Sequence, residues 1–90
     1  MSSDSFQLKV ITPAGVALEE EVVSVTVPTS EGEIGILPHH TRYCSILGNG
    51  PLSYSRHGNV TNERFVVHEG FCHFANETLT ILADSIETPA

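Results

Sequence analysis

The amino-acid sequence predicts an all-β fold, a flattened β-sandwich or barrel of short antiparallel strands in two sheets, and three observations carry that reading. Apolar and polar residues alternate with a period of two, turn-forming residues recur at steady intervals, and no stretch keeps a helical period. Successive side chains of a strand point to opposite faces, so such alternation marks a strand with one face on a core.

Phe6, Leu8 and Val10 share one face of the first run, and Pro13-Ala14-Gly15 supplies its turn, with Pro presetting φ. The segment 17–23 holds three glutamates and is the only short stretch resembling a helix. Valine-rich sequence on both sides of it favours a strand or a bulged edge instead. Val23, Val25 and Val27 then share a face, and β-branched or aromatic runs follow at 43–47, 52–56, 64–69, 71–75 and 78–86. Turn signals separate them at Gly48-Asn49-Gly50-Pro51, His57-Gly58-Asn59 and Asn76-Glu77.

Ninety residues with 40% hydrophobic content supply one core, so a single domain over 1–90 is expected, with its core at 6–87 and a short tail at 88–90. Eleven acidic residues stand against four scattered cations, Lys9, Arg42, Arg56 and Arg64, for a net charge of -7. That balance excludes nucleic acid and anionic lipid as partners, since both need a basic footprint, and it suits a partner presenting positive charge. The N-terminal MSSDSFQLKV lacks the charged and apolar regions of an export signal, and no apolar run is long enough to span a bilayer. The expectation is a cytoplasmic chain without direct membrane insertion, whose Cys44 and Cys72 remain free thiols. Asn59-Val60-Thr61 and Asn76-Glu77-Thr78 fit the glycosylation pattern and are read as chance matches in turns.

Reaction chemistry finds little support. His39, His40 and Cys44 lie close together and Cys72-His73 follows, but adjacent strand residues face opposite ways, and the spacing fits no zinc pattern. A small metal-dependent β-barrel enzyme using His39 or His40 with Glu33, and His73 as a further ligand, is the alternative reading. No G-x-S-x-G or catalytic-cysteine neighbourhood is present. Gly32-Glu33-Ile34-Gly35 lacks the Lys-Ser/Thr of a phosphate loop and carries negative charge where a phosphate would sit.

The segment 30–40, SEGEIGILPHH, suits neither a regular strand nor an ordinary solvated loop. Physical reasoning leaves two readings open. It is a long loop tucking Ile34, Ile36 and Leu37 under the sandwich edge, or it is an interaction surface.

Read whole, the segment closely resembles the S-x-G-E-[LF]-G-[IV]-L-P-G-H signature of the epsilon subunits of bacterial and chloroplast F-type ATP synthases. Val10-Ile11-Thr12-Pro13-Ala14-Gly15 resembles the family's V-x-T-P-x-G, and 23–27 its second apolar run. Glu69-Gly70-Phe71 resembles the end of its S-G-G-F, and Leu79-Thr80-Ile81-Leu82-Ala83-Asp84 its V-T-V-L-A-D. The resemblance covers about 6–87. It implies a sandwich of about ten strands, a non-catalytic subunit without cofactor, at the foot of the rotating central stalk. There it would join the gamma subunit to the membrane c-ring and couple proton flow to ATP synthesis or hydrolysis, as a peripheral protein on the cytoplasmic face of a bacterial inner membrane. The implied partner-binding residues are Ser30, Glu31, Gly32, Glu33, Ile34, Gly35, Ile36, His39, His40 and Arg42. Glu31 and Glu33 would approach the ring's polar loops, which carry an arginine in the family, and His40 would lie near gamma.

Three departures bear on these expectations. His39 stands where the family has Gly, His68 replaces a small residue of the S-G-G block, and Arg42-Tyr43-Cys44-Ser45 replaces a proline-leucine sequence. Most members continue into a C-terminal helical hairpin that inhibits hydrolysis and in some bacteria binds ATP, while short members consist of the β-domain alone. With Glu87 as the sole counterpart of that nucleotide site, neither hairpin inhibition nor ATP binding is expected.

Overall fold

A computed structural model describes residues 5–56 and 63–87. The expected turn at His57-Gly58-Asn59, the Asn59 sequon and the tail at 88–90 lie outside the described residues. Among the described residues, eight strands run in chain order as β1 (Phe6–Thr12), β2 (Gly15–Val22), β3 (Ser24–Thr29), β4 (Gly32–Ile36), β5 (Tyr43–Ile46), β6 (Gly50–Ser55), β7 (Glu63–Ala75) and β8 (Thr78–Glu87).

The strands form one hydrogen-bonded path, β2-β1-β8-β7-β6-β3-β4, with β5 beside β7. The two layers come from the division of β7. Its first half, Glu63 to Val67, pairs with β6, and its second half, Phe71 to Phe74, pairs with β5, while β8 follows both halves on the other side. One layer is therefore β2-β1-β8-β7-β5 and the other β4-β3-β6-β7. Glu69 and Gly70 make the bend, with φ of 48° and 138°. A Cβ at Gly70 would lie 1.9 Å from the Leu82 carbonyl oxygen, so conformation and crowding both require glycine there.

Two sequence expectations change in detail. The runs at 64–69 and 71–75 are one bent strand rather than two, which is one reason that eight strands do the work of about ten. All pairings are antiparallel except β1 with β8, which run parallel and join the start of the chain to its end. The glutamate-rich 17–23 segment falls largely in β2, an edge strand whose register shifts against β1 between Val10 and Ile11, in line with the expected bulged edge.

Alternation places Phe6, Leu8, Val10, Val25, Val27, Ile36, Leu52, Val67, Phe74, Leu79 and Ile81 in a single core drawn from both layers. Val23 does not share that burial. It is only half-buried at the corner between β2 and β3, and Val22 takes the inner position. Phe6 meets Phe74 edge to face at 5.4 Å, an arrangement that adds about 1 kcal/mol beyond burial. Each fully buried Leu, Ile or Phe contributes about 1.5–3 kcal/mol, so this shared interior holds the layers in fixed relation. Arg56, at the end of β6, crosses between layers. It reaches Glu20 on β2 at 3.6 Å and Glu63 on β7 at 2.9 Å.

Candidate functional site: two docking surfaces

The middle of the 30–40 segment, Gly32–Ile36, is a regular strand flanked by turns, contrary to its reading as neither strand nor loop. Thr29 pairs with Gly32 across a two-residue turn, and the Thr29 hydroxyl donates to the Gly32 carbonyl while accepting from the Glu31 amide. Gly32, at φ 119°, closes that turn, a conformation glycine adopts without penalty. From there Ile34 and Ile36 point inward, Ile36 fully buried and Ile34 packed against the core. Leu37 does not tuck under the sandwich edge; 59% of it is exposed.

Ser30, Glu31, Gly32, Glu33 and Gly35 are exposed along this hairpin, and neither glutamate belongs to an ion pair among the described residues. The hairpin therefore presents uncompensated negative charge. Ile34 and Ile36, expected as contact residues, serve mainly the interior.

The loop after β4 is anchored at two points. His39 adopts φ 67°, the left-handed conformation that a glycine would take without strain. Glu77, from the β7–β8 turn, accepts the His39 amide at 3.2 Å and lies 3.5 Å from His39 Nδ1, which offsets that strain. His40 stands edge to face against Phe74 and Tyr43, and its Nδ1 donates to the Thr41 carbonyl at 2.8 Å. Arg42 is exposed beside it. The histidines thus point to different partners, and His73 lies opposite Cys44 on the outer face. Among the described residues no three His, Cys, Asp or Glu side chains converge as metal ligands.

A second surface went unnoticed in the sequence. On the outer face of the β2-β1-β8-β7-β5 layer, Ile46 is paired with Phe71, Phe71 with Leu82, Leu82 with Ile11, and Ile11 with Val16. Five apolar side chains in register across five strands make a row spanning about 20 Å, at about 4.8 Å per strand. Ile46, Val16, Leu82 and Phe71 are 61%, 58%, 45% and 40% exposed. A shallow groove beside them is lined by Pro13, Gly70, Ala83 and Asp84. Exposed Glu69 and Asp84 border one side of the row, and Cys44, His73, Thr80, Lys9 and Glu19 form the polar row on the other. An apolar band with a charged margin is what a protein-docking surface requires. The sequence signal was failed alternation: Val10-Ile11, Ile46-Leu47, Phe71-Cys72 and Ile81-Leu82 each set two apolar residues side by side, one for each face.

Fold and surfaces together define a class of protein: a small β-sandwich with one acidic edge and one exposed apolar face. Comparison with known proteins narrows the class. Residues 5–89 match the family model for the ATP synthase delta/epsilon chain β-sandwich domain. The chain belongs to that family.

The ATP synthase epsilon chain of Desulfitobacterium hafniense is 39% identical over 83 residues, covering 92% of this chain and 61% of that one. The epsilon chain of Solibacter usitatus is 36% identical over 84 residues, covering 93% and 61%. This chain thus spans about three-fifths of the length of these curated relatives. A chain of the Euglena gracilis mitochondrial ATP synthase superposes with a TM-score of 0.86 at 23% identity, over 98% of this chain and 55% of that chain. One from the central stalk and c-ring of the Tetrahymena thermophila enzyme gives 0.75 at 21%, over 91% and 65%. At such identities the two superpositions establish a shared fold.

Proposed function

We propose that this chain is a non-catalytic rotor subunit of an F-type ATP synthase, joining the gamma subunit of the central stalk to the c-ring and coupling proton translocation to ATP synthesis or hydrolysis. The observation that carries the proposal is the presence, on one shared core, of two differently built exposed surfaces, the acidic hairpin and the apolar row. Family membership supplies the context, and the fold shared with chains of two mitochondrial ATP synthases, one of them from a structure of the central stalk and c-ring, supports it.

The apolar row is assigned to gamma, because covering exposed apolar side chains with a protein partner is favourable. The acidic hairpin, with Ser30, Glu31, Gly32, Glu33, Ile34, Gly35 and Ile36, is assigned to the ring. His40 is assigned to gamma, with His39 and Arg42 as further contact candidates beside it. An exposed rim ion pair contributes only about 0–1 kcal/mol, so Glu31 and Glu33 set orientation and encounter, while packing supplies adhesion.

Torque passes between the two surfaces without chemistry. The layers share one interior, so a push on the hairpin moves the outer face with it. The working location is the cytoplasmic face of a bacterial inner membrane, held there through the ring; among the described residues no helix is long and apolar enough to cross a bilayer.

The test is retention on a detergent-purified rotor of gamma and c-ring. Wild type is expected to remain bound, and Glu33→Lys to dissociate several-fold faster at low salt. Unchanged retention of Glu33→Lys removes the charge assignment, and failure of wild type to bind removes the rotor reading.

A further inference from the structure

The geometry points to the open edge of β4 as a strand-addition site, where an extended, basic segment of a protein partner continues the sheet by hydrogen bonding to the main chain of Glu33 and Gly35. It depends on the rotor reading only for which protein carries the segment.

β4 ends the strand path, and among the described residues no strand lies beyond it. Its outward-directed main-chain groups follow from its partner. Pro28 on β3 lies opposite Glu33 and has no N–H to give, and its carbonyl is taken on the far side by the Gly48 amide at 3.0 Å. Pro28 and Glu33 are therefore a non-hydrogen-bonded pair, and alternation makes Thr26 and Gly35 another. In such pairs the N–H and C=O groups point away from each other, so those of Glu33 and Gly35 face the open edge.

Gly35 gives an independent reason to expect a visitor. Unlike Gly32 or Gly70, it does not occupy the left-handed region, and a Cβ built on it meets nothing within 4 Å. Neither conformation nor crowding requires glycine there, and glycine inside a strand weakens it. Its cross-strand neighbour Thr26 does not come within 4 Å of that Cβ position, so the Gly35 backbone is bare. A bare glycine on an edge strand is stabilised when an added strand lays a bulky side chain across it.

The chemistry of the segment follows from its surroundings. Glu33, Gly35 and Leu37 face outward along this edge, while Ile34 and Ile36 face the core. The complementary segment alternates, with apolar residues toward the core margin at Ile34 and a lysine or arginine opposite Glu33 and Glu31, neither of which has a cation of its own among the described residues. The competing explanation is that the glutamates only guard an exposed edge against unwanted pairing.

Amide hydrogen exchange separates the two. The whole chain is measured free, bound to the purified rotor of gamma and c-ring, and with a synthetic peptide of alternating lysine and valine. On both partners the Glu33 and Gly35 amides are expected to slow by about tenfold or more, as outward hydrogen bonds form. Gly35→Pro deletes one outward donor and spares the β3–β4 ladder, and it is expected to weaken peptide binding by about tenfold, the loss of one or two hydrogen bonds. Gly35→Ala is expected to leave the thermal midpoint unchanged or raise it. If the chain binds the rotor while both amides exchange at their free rates, strand addition is overturned and the rotor reading stands. If the rotor fails to retain the chain, the rotor reading falls and the peptide decides; no protection by the peptide overturns this site. A lowered midpoint in Gly35→Ala, with binding kept, would show that the glycine serves the fold and would also overturn it.

Discussion

Gly70 is the residue on which the two layers turn, and its constraint is steric. With φ at 138° and a Leu82 carbonyl where its Cβ would lie, Gly70→Ala must displace main chain. The expected loss is about 3 kcal/mol or more, read as a lowered urea midpoint; a change under about 1 kcal/mol would contradict the bend as described. The cysteines differ in access rather than connection. Cys44 is exposed and Cys72 is buried, and burial pushes the Cys72 thiol up. A thiol reagent is expected to label Cys44 promptly and Cys72 only on unfolding, with mass spectrometry as the readout. Tyr54 ties stability to alkaline pH. Burial raises its pKa, and the Glu20 and Glu63 carboxylates add to this against Arg56. The folded state holds that proton more tightly than the unfolded chain, so this contribution is present below the ordinary tyrosine value of about 10 and is lost as pH rises above it. Stability should fall in that window, and Tyr54→Phe should flatten the fall.

At the scale of elements, the two faces of β7 do different work. Phe74 points inward and Phe71 outward on one strand. Phe74→Ala is expected to cost about 3–5 kcal/mol of stability in a denaturant titration, while Phe71→Glu should stay within about 0.5 kcal/mol. Equal losses would mean that the outer row is structural. Legibility in the sequence divides along the same line. Period-two alternation exposed the inward set, because Phe6, Leu8 and Val10 each stand between polar or less buried neighbours. The β7–β8 turn was readable at Asn76-Glu77, where φ of 55° and 57° fit the mirror-image hairpin turn that asparagine tolerates. The runs at 64–69 and 71–75 look separate in one dimension because a glycine that bends a strand and one that ends it read alike. β4 was missed because its exposed Gly32, Glu33 and Gly35 leave only Ile34 and Ile36 to show a strand's alternation. The apolar row was illegible for a further reason: its members come from five strands and meet only through register.

At the scale of the whole molecule, the proposed rotor role rests on a body closed over a single core. The path from β2 to β4 is folded over one core, and Arg56 bridges β6 to β2 and β7. The proposed role needs no reacting group; it needs two surfaces at fixed separation. The 30–40 motif disclosed one of them through its resemblance to a known family, and the fold was needed to disclose the other. The most direct measurement is the affinity of the purified chain for purified gamma subunit, compared with that of Phe71→Glu after its urea midpoint has been matched to wild type. The account predicts firm binding by wild type and a loss of about tenfold or more in the variant, as befits a central apolar anchor. Equal binding by both proteins, or no binding by wild type, would contradict it.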